Sequence, residues 1–449
     1  MASALVSTAL RDQHVVILGG AYAGLSTALN LLRICDGTFS YFLKADGRGH
    51  NLPLPRSPRN KPRITILDPR DGFYHAVGTP MAHTSKSYIS KPWLQWDQIP
   101  ELKRGGVSVV RGKAIKADPE AKTLVYLSGE PGELQQRSLD YDYLVVATGL
   151  RRPWPTVPMA TTKAEFSAQA ARYIEHLQSR NSIAVIGGGA VGIEMAAEIK
   201  HQYPLKDVTL IHSRSSLLSS EPVSMEFRDT VHKVVQSGGV NVLLNNRVLN
   251  VTSDGNSSKT ITLESGGSLS ADEVIWATSS AAPITEFLPN EALDQEGFVN
   301  VLPTTQFQPT IPNSAAHFAV GDVISTPGIR LAPGAIRMGK ITATNIAQML
   351  VACEDSASDT PSVSSDQAQA HAKPPKSNLK LVIGVSGAAY DGNTGDMMWG
   401  PEVKQRIFGD DMGLTREFFF FLFLSTRLHS RAILTIAKVH WERWGYFRT

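Results

Sequence analysis

Ile183-Ala184-Val185-Ile186-Gly187-Gly188-Gly189-Ala190-Val191-Gly192 decides the fold of this chain. A β-branched run delivers the backbone to G-x-G-x-x-G, and the small residues that follow let a helix start close to the bend. Such a turn presents the N–H groups of the helix N-terminus to a pyrophosphate. The pattern recurs where His14-Val15-Val16-Ile17-Leu18 runs into Gly19-Gly20-Ala21-Tyr22-Ala23-Gly24. Ala21 replaces the middle glycine there and crowds a pyrophosphate slightly. One glycine turn is weak evidence, because such turns often only cap or bend an element. Two of them, each with a strand before and a helix after, predict that one chain holds two dinucleotides.

The residues downstream separate the two ligands. Val208-Thr209-Leu210-Ile211 ends just before the twentieth position after Gly192, where an acid usually takes the adenine ribose hydroxyls. Here the chain reads His212-Ser213-Arg214. A missing carboxylate and a nearby Arg tolerate a 2′-phosphate, so NADPH, alone or alongside NADH, is expected at this turn; Arg214 reads equally as a solvated surface charge. After the first turn, Arg63-Ile64-Thr65-Ile66-Leu67 ends in Asp68, an acid suited to the ribose of an FAD adenosine. Asp68 lies about twice the usual ~20 residues from its turn. The proline-rich segment 36–62 accounts for that distance as a surface loop inserted between helix and strand.

Three further stretches tie the first turn to a flavin. Asp140 to Gly149 reads as a buried strand ending in Ala147-Thr148-Gly149. Ala316 to Asp322 reads as another, with Gly321-Asp322 placed to bond a ribityl hydroxyl or the pyrophosphate hydration. The run from Val107 to Lys113 and Ala114 suits the edge of the adenine.

In this order the segments resemble the two-dinucleotide-fold flavoprotein oxidoreductases, which include NADH:quinone oxidoreductases, ferredoxin reductases and apoptosis-inducing-factor-like proteins. The likeness is greatest to the last group, of the mitochondrion-associated inducer-of-death or ferroptosis-suppressor type. It spans most of residues 11–350 and is most specific in Ile186 to Lys200, continuing to Ser213. The resemblance implies bound FAD, NADPH or NADH as hydride donor to flavin N5, and two electrons passed on to a quinone-like acceptor. Carried over residue by residue, Gly19, Gly20, Ala21, Tyr22, Ala23 and Gly24 fall on the FAD turn. Asp68, Lys113, Ala114, Thr148, Gly149, Gly321 and Asp322 complete the FAD set. Gly187, Gly189, Gly192, His212 and Arg214 fall on the NAD(P)H turn. Glu194 stands where related reductases place a Glu beside the nicotinamide, although a Glu in a first helical turn is also favoured by the helix dipole. Phe73-Tyr74-His75 occupies the loop that faces the flavin in relatives; Tyr74 or His75 either bonds an acceptor oxygen or packs.

Cys35 and Cys353 are the only cysteines, so no C-x-x-C or C-x-x-x-x-C pair can relay electrons to a disulfide substrate. Thioredoxin-, glutathione- and lipoamide-type reductions are excluded on that ground. The chain of 449 residues, 42% hydrophobic and 19% charged, suits two nucleotide domains and a smaller third. A net charge of +3 gives no case for nucleic acid, and no metal-ligand spacing is present. The first dozen residues are too short and too weakly basic for a secretory or transit signal, and Ala2 rules out myristoylation. The expected location is cytoplasmic or mitochondrion-associated, peripheral on a membrane rather than secreted.

The expected fold is α/β, with two three-layer Rossmann-like dinucleotide-binding domains and a smaller C-terminal α+β domain. Residues 1–155 and 281–351 form a discontinuous FAD-binding domain, and 160–280 the inserted NAD(P)H-binding domain. Ile341 to Val351 is expected as a helix. A disordered linker follows at 354–378, then an interface domain at 379–449 with a hairpin at Asp391-Gly392-Asn393-Thr394-Gly395. The tail 414–449 is basic and aromatic, with Phe418-Phe419-Phe420-Phe421 at its start. It suits a membrane interface or a helix packed on the FAD domain or on a second copy in a homodimer. Two other functions fit the same sequence: a biosynthetic flavoenzyme acting on a phenolic or quinonoid metabolite, and an NAD(P)H-responsive redox sensor.

Overall fold

Val15 to Leu18 are almost completely buried, as a strand covered on both faces demands: Val15 and Ile17 face helices, Val16 and Leu18 face the residues of an antiparallel meander and nearby loops. In the computed structural model, which describes residues 12–37, 56–130, 132–253, 258–278, 282–326, 330–356 and 378–415, His14–Leu18 is the middle of a five-stranded parallel sheet. Arg63–Asp68 and then Val107–Arg111 lie on one side of it, Tyr143–Val146 and then His317–Ala319 on the other. The second sheet repeats the arrangement. Ser182–Ile186 is flanked by Asp207–Ile211 and Asn241–Leu243 on one side and Glu273–Trp276 on the other, all parallel. In both sheets the first strand sits where the strand order reverses, so each glycine turn opens into the crevice at a topological switch point.

Tyr22–Cys35 and Ala332–Ser356 cross over one face of the first sheet, burying Leu25, Leu29, Ile346 and Leu350 against Val15 and Ile17. Gly339 makes the crossing possible, because a Cβ there would overlap the carbonyl of Ala23. The expected helix Ile341–Val351 is therefore only part of a 25-residue helix that starts at Ala332. Pro333 suits its first turn, where an N–H is not needed, and Gly334 and Gly339 fall in segments that sequence alone reads as loop. The buried strand expected from Asp140 also begins later, at Tyr143, because Gln135–Asp140 belongs to an antiparallel meander with Lys113–Asp118 and Thr123–Ser128.

The chain passes between the sheets twice. Leu150–Arg151 leaves the first sheet and pairs antiparallel with Ala282–Pro283 on the way back. Beyond the long helix, Leu379–Ile383, Ser386–Tyr390 and Met397–Gly400 form an antiparallel sheet closed by the helix Pro401–Ile407. The loop Asp391–Asp396 is the expected hairpin. This unit packs both ways: Leu379, Leu381 and Ile383 join the core of the second sheet, while Val382 and Met412 join Tyr74, Tyr88 and Phe166. Most of the 36–62 insertion, nearly all of 354–378 and the tail from 416 lie outside the described residues. Among the described residues no helix is long and apolar enough to cross a membrane, and no group of three side chains could hold a metal.

Candidate functional site

The two glycine turns are built by the same backbone bonds. Gly19 N–H donates to Leu67 O at 2.8 Å and Gly187 N–H to Ile211 O at 2.9 Å, while Ala147 and Ala277 donate to Leu18 O and Ile186 O, both at 2.8 Å. Gly19 (φ +97°) and Gly187 (φ +122°) take a conformation in which a Cβ would also overlap the carbonyl of Ala147 or Ala277. Gly24 and Gly192 let the first helical turn pass directly over the carbonyls of Gly19 and Gly187. Ala21 and Gly189 are both extended N-caps at φ −79°, so alanine is unstrained at the middle position. Neither N-cap supplies a side-chain hydrogen bond, which leaves each helix N-terminus to be satisfied from outside. A diphosphate fits both cradles, which offer close backbone approach and N–H groups at the helix start, with the Ala21 methyl as the one addition in the first.

Side chains at the ends of the second strands then distinguish the turns. Asp68 is buried; its Oδ2 accepts from Gly20 N–H at 2.7 Å and its Oδ1 from Arg70 N–H at 2.8 Å. Burial pushes its carboxyl up, opposed by Arg70 and those two N–H groups. His212 does the corresponding job with an imidazole. Gly188 N–H donates to Nδ1 at 3.1 Å, so Nε2 carries the proton and donates to Ser219 Oγ at 3.0 Å. Burial and the neighbouring Arg214 hold His212 below the usual histidine range, in keeping with that neutral tautomer. Arg214 itself is exposed.

The remaining residues expected around a flavin gather near the first turn. Thr148 Oγ1 donates to Ile284 O at 2.6 Å, and Gly149, at φ +69°, has nothing within 4 Å of a notional Cβ. Gly321 (φ +81°) packs its backbone against Ala23. Asp322 lies 3.5 Å from the Arg152 guanidinium; burial raises its carboxyl while Arg152 and Arg330 oppose. Lys113 and Ala114 start the meander strand directly after Gly112, whose N–H donates to Asp68 O at 3.1 Å. Lys113 is exposed and Ala114 half-buried.

Tyr74 and His75 are committed to the protein. Tyr74, 3% exposed, bonds its hydroxyl to Thr79 Oγ1 at 2.8 Å. His75 is fully buried; Nε2–H donates to Met412 O at 3.0 Å and Nδ1 accepts from Tyr22 OH at 2.9 Å. Burial pushes its pKa down to about 4. An acceptor oxygen would reach either side chain only after these bonds break, so packing is the role their geometry shows. His83 is also fully buried, edge-on to Trp154 at 4.7 Å, with both ring nitrogens unpartnered and a pKa pushed down to about 4.

Glu194 is partly covered on the first turns of the Ala190–Gln202 helix. Its Oε1 accepts from Val382 N–H at 3.0 Å, tying that helix to the C-terminal sheet. Desolvation, with Glu198 one turn on, pushes the carboxyl up to about 8 despite the Val382 bond. Its carboxyl therefore holds a proton more readily near neutral pH than an ordinary glutamate does.

Three side chains at the turns escape sequence reasoning. The Trp96 ring covers Gly20, Glu221 reaches Gly189, and Arg152 faces Asp322. Trp96 and Glu221 lie in stretches with no periodicity, and Arg152 stands in a proline-rich crossing, so no pattern singled them out.

The family model described as pyridine nucleotide-disulphide oxidoreductase matches residues 13–339. The chain is 36% identical to oxidoreductase OXR1 of Ajellomyces capsulatus over 91% of its own length and 87% of that protein. It is 27% identical to apoptosis-inducing factor homolog B of Dictyostelium discoideum, over 69% and 74% respectively. In fold it is similar to the sulfide:quinone oxidoreductase of Aquifex aeolicus, with a TM-score of 0.65 at 15% identity over 95% of both chains. The likeness to apoptosis-inducing-factor-like proteins and the α/β architecture read from the sequence both hold. With two glycine turns on two parallel sheets and a family match across both, the chain belongs to the pyridine nucleotide-disulphide oxidoreductases, enzymes that work with FAD and take NAD(P)H as substrate.

Proposed function

We propose that the first turn holds FAD, the second receives NAD(P)H, and the electron pair leaves to a diffusible quinone-like acceptor. The observation that carries this reading is the pairing of Gly20 with Asp68 and of Gly188 with His212 in otherwise matching turns. A carboxylate at the strand end suits ribose hydroxyls, whereas a neutral imidazole beside an exposed Arg214 leaves room for a 2′-phosphate. Gly19 to Gly24, Asp68, Lys113, Ala114, Thr148, Gly149, Gly321 and Asp322 form the FAD surface. Gly187, Gly189, Gly192, Glu194, His212 and Arg214 form the NAD(P)H surface. FAD, when bound, supplies the hydride-accepting and electron-releasing chemistry.

The protein's part is positioning and proton supply. With Oε1 held by Val382, Glu194 keeps its second oxygen, protonated at neutral pH, to orient a nicotinamide carboxamide. Both cysteines are buried, and Cys35, whose thiol burial pushes up to about 12, is no thiolate relay. Electrons therefore go outward, and the sulfide:quinone oxidoreductase likeness supports a quinone as their destination. The basic, aromatic tail suits a lipid surface where such an acceptor dissolves. Anaerobic mixing tests the reading: NADPH or NADH bleaches the yellow protein, and a short-chain quinone restores the colour faster than oxygen or ferricyanide. A protein that cannot be loaded with FAD, or that every quinone reoxidises more slowly than oxygen does, refutes it.

A further inference from the structure

The diphosphate cradle of the second turn already faces an anion. Glu221 lies in the loop between Asp207–Ile211 and the helix Met225–Ser237, and its side chain reaches back so that Oε1 sits 3.4 Å from the place a Cβ on Gly189 would take. The backbone N–H groups of Glu221 itself, Ala190 and Ser220 face the carboxylate and favour its charged form, while the Glu221 N–H donates to Leu218 O at 3.1 Å. Ala190 is the first residue of the helix after the turn, and its N–H is among the donors a bound diphosphate would use. Glu221 thus stands in the space, and against a donor, that the ligand needs.

Two unsatisfied atoms show where the carboxylate can go. Glu221 Oε2 is buried without a partner. So is Arg228 Nε, one turn into the next helix, although Arg228 Nη2 already donates to the Glu221 carbonyl at 2.8 Å. A buried orphan acceptor and a buried orphan donor on neighbouring residues are each costly, and pairing them removes both penalties.

We propose that Glu221 is a displaceable occupant of the diphosphate cradle: NAD(P)H binding drives its carboxylate from Gly189 and Ala190 onto Arg228 Nε. The proposal rests on the assignment of the second turn to NAD(P)H. Glu221 then sets the affinity, because two anions compete for one set of donors and repel within a few ångströms of each other. Competition is strongest when Glu221 is ionised and fades when it is protonated. Burial holds its carboxyl above the usual range, opposed by the three N–H groups and Arg228, so dinucleotide binding weakens as pH rises through that carboxyl's titration. The other charged or titratable groups near the turn are His212 and Arg214 from the same loop and Arg228 from the following helix; Glu194, on the helix after the turn, holds its Oε1 to Val382 N–H.

The flavin-loaded full chain is titrated calorimetrically with ADP-ribose, which carries the diphosphate but no hydride, between pH 5.5 and 8.5. Glu221→Gln should bind ~10-fold tighter than the native chain at pH 8.5 and lose most of the pH slope; the slope that remains belongs to His212 and Glu194. Arg228→Leu should weaken binding ~10-fold in the native background and leave it unchanged in the Glu221→Gln background, since the receiving group then has nothing to receive. Equal affinities and equal slopes for the native chain and Glu221→Gln overturn the proposal while leaving the NAD(P)H assignment intact. A native chain that binds no ADP-ribose at any pH overturns both.

Discussion

Gly24→Ala and Gly192→Ala put the same methyl group into the same spot of two turns, so they ask separately what each turn holds. In either case the new Cβ falls far inside 3.0 Å of a carbonyl oxygen, that of Gly19 or of Gly187, and no rotamer relieves it. The start of the helix must move by roughly 1 Å, about a third of the 2.7–3.2 Å donor–acceptor separation of an N–H···O bond. Losing two hydrogen bonds from helix N–H groups to a diphosphate, at about 1.5–3 kcal/mol each, weakens binding by about 3–6 kcal/mol, or 10²- to 10⁴-fold. Gly24→Ala should therefore yield folded protein with little or no FAD, measured as the ratio of flavin absorbance to protein absorbance. Gly192→Ala should stay yellow but need at least ~100-fold more NADH for half-maximal anaerobic bleaching. Flavin loss in Gly192→Ala with flavin retained in Gly24→Ala would invert the assignment. Equal loss in both would show that the turns are not independent sites.

Three other outcomes are expected. Glu194 is protonated below about pH 8, so reduction of the flavin by NAD(P)H should fall about tenfold per pH unit above 8, and stopped-flow traces of Glu194→Gln should show no such fall. His83 has a pKa near 4, well below its ordinary value, so it contributes stability that is complete above about pH 6.5 and lost as pH drops towards 4. Because both its nitrogens are unpartnered, His83→Leu should stabilise by about 1–3 kcal/mol at pH 7 and flatten the acid limb of a urea-midpoint profile. Gly339→Ala should cost ~1–3 kcal/mol through overlap with Ala23 at the helix crossing, whereas Gly334→Ala, with open space around its Cβ, should gain about 0.5–1 kcal/mol; paired urea melts measure both.

The parts of this site that sequence reveals are those governed by short-range backbone rules. A β-branched strand, glycines at fixed spacing and a small-residue helix specify each turn locally, and Asp68 and His212 follow because a strand end has only one place to go. What escapes is set by long-range meetings. Glu221 approaches Gly189 only after its loop folds back, Trp96 covers Gly20 from 76 positions away, and His75 finds Met412 across 337 residues. The helix start at Ala332 was hidden for a related reason. Pro333, Gly334 and Gly339 look like breakers in isolation, and only the partner helix explains why a glycine is wanted at 339.

The pairing of Leu150–Arg151 with Ala282–Pro283 has a consequence for how such a chain could be rebuilt. The outgoing and returning segments leave the first sheet as neighbours, so everything between them is a closed excursion whose ends already meet. Exchanging that excursion for the matching stretch of a relative requires two adjacent splices and no re-threading of the first sheet. If the second turn receives NAD(P)H as proposed, preference between the two nicotinamide dinucleotides becomes a transplantable property, since His212, Arg214 and Glu221 all lie inside that excursion.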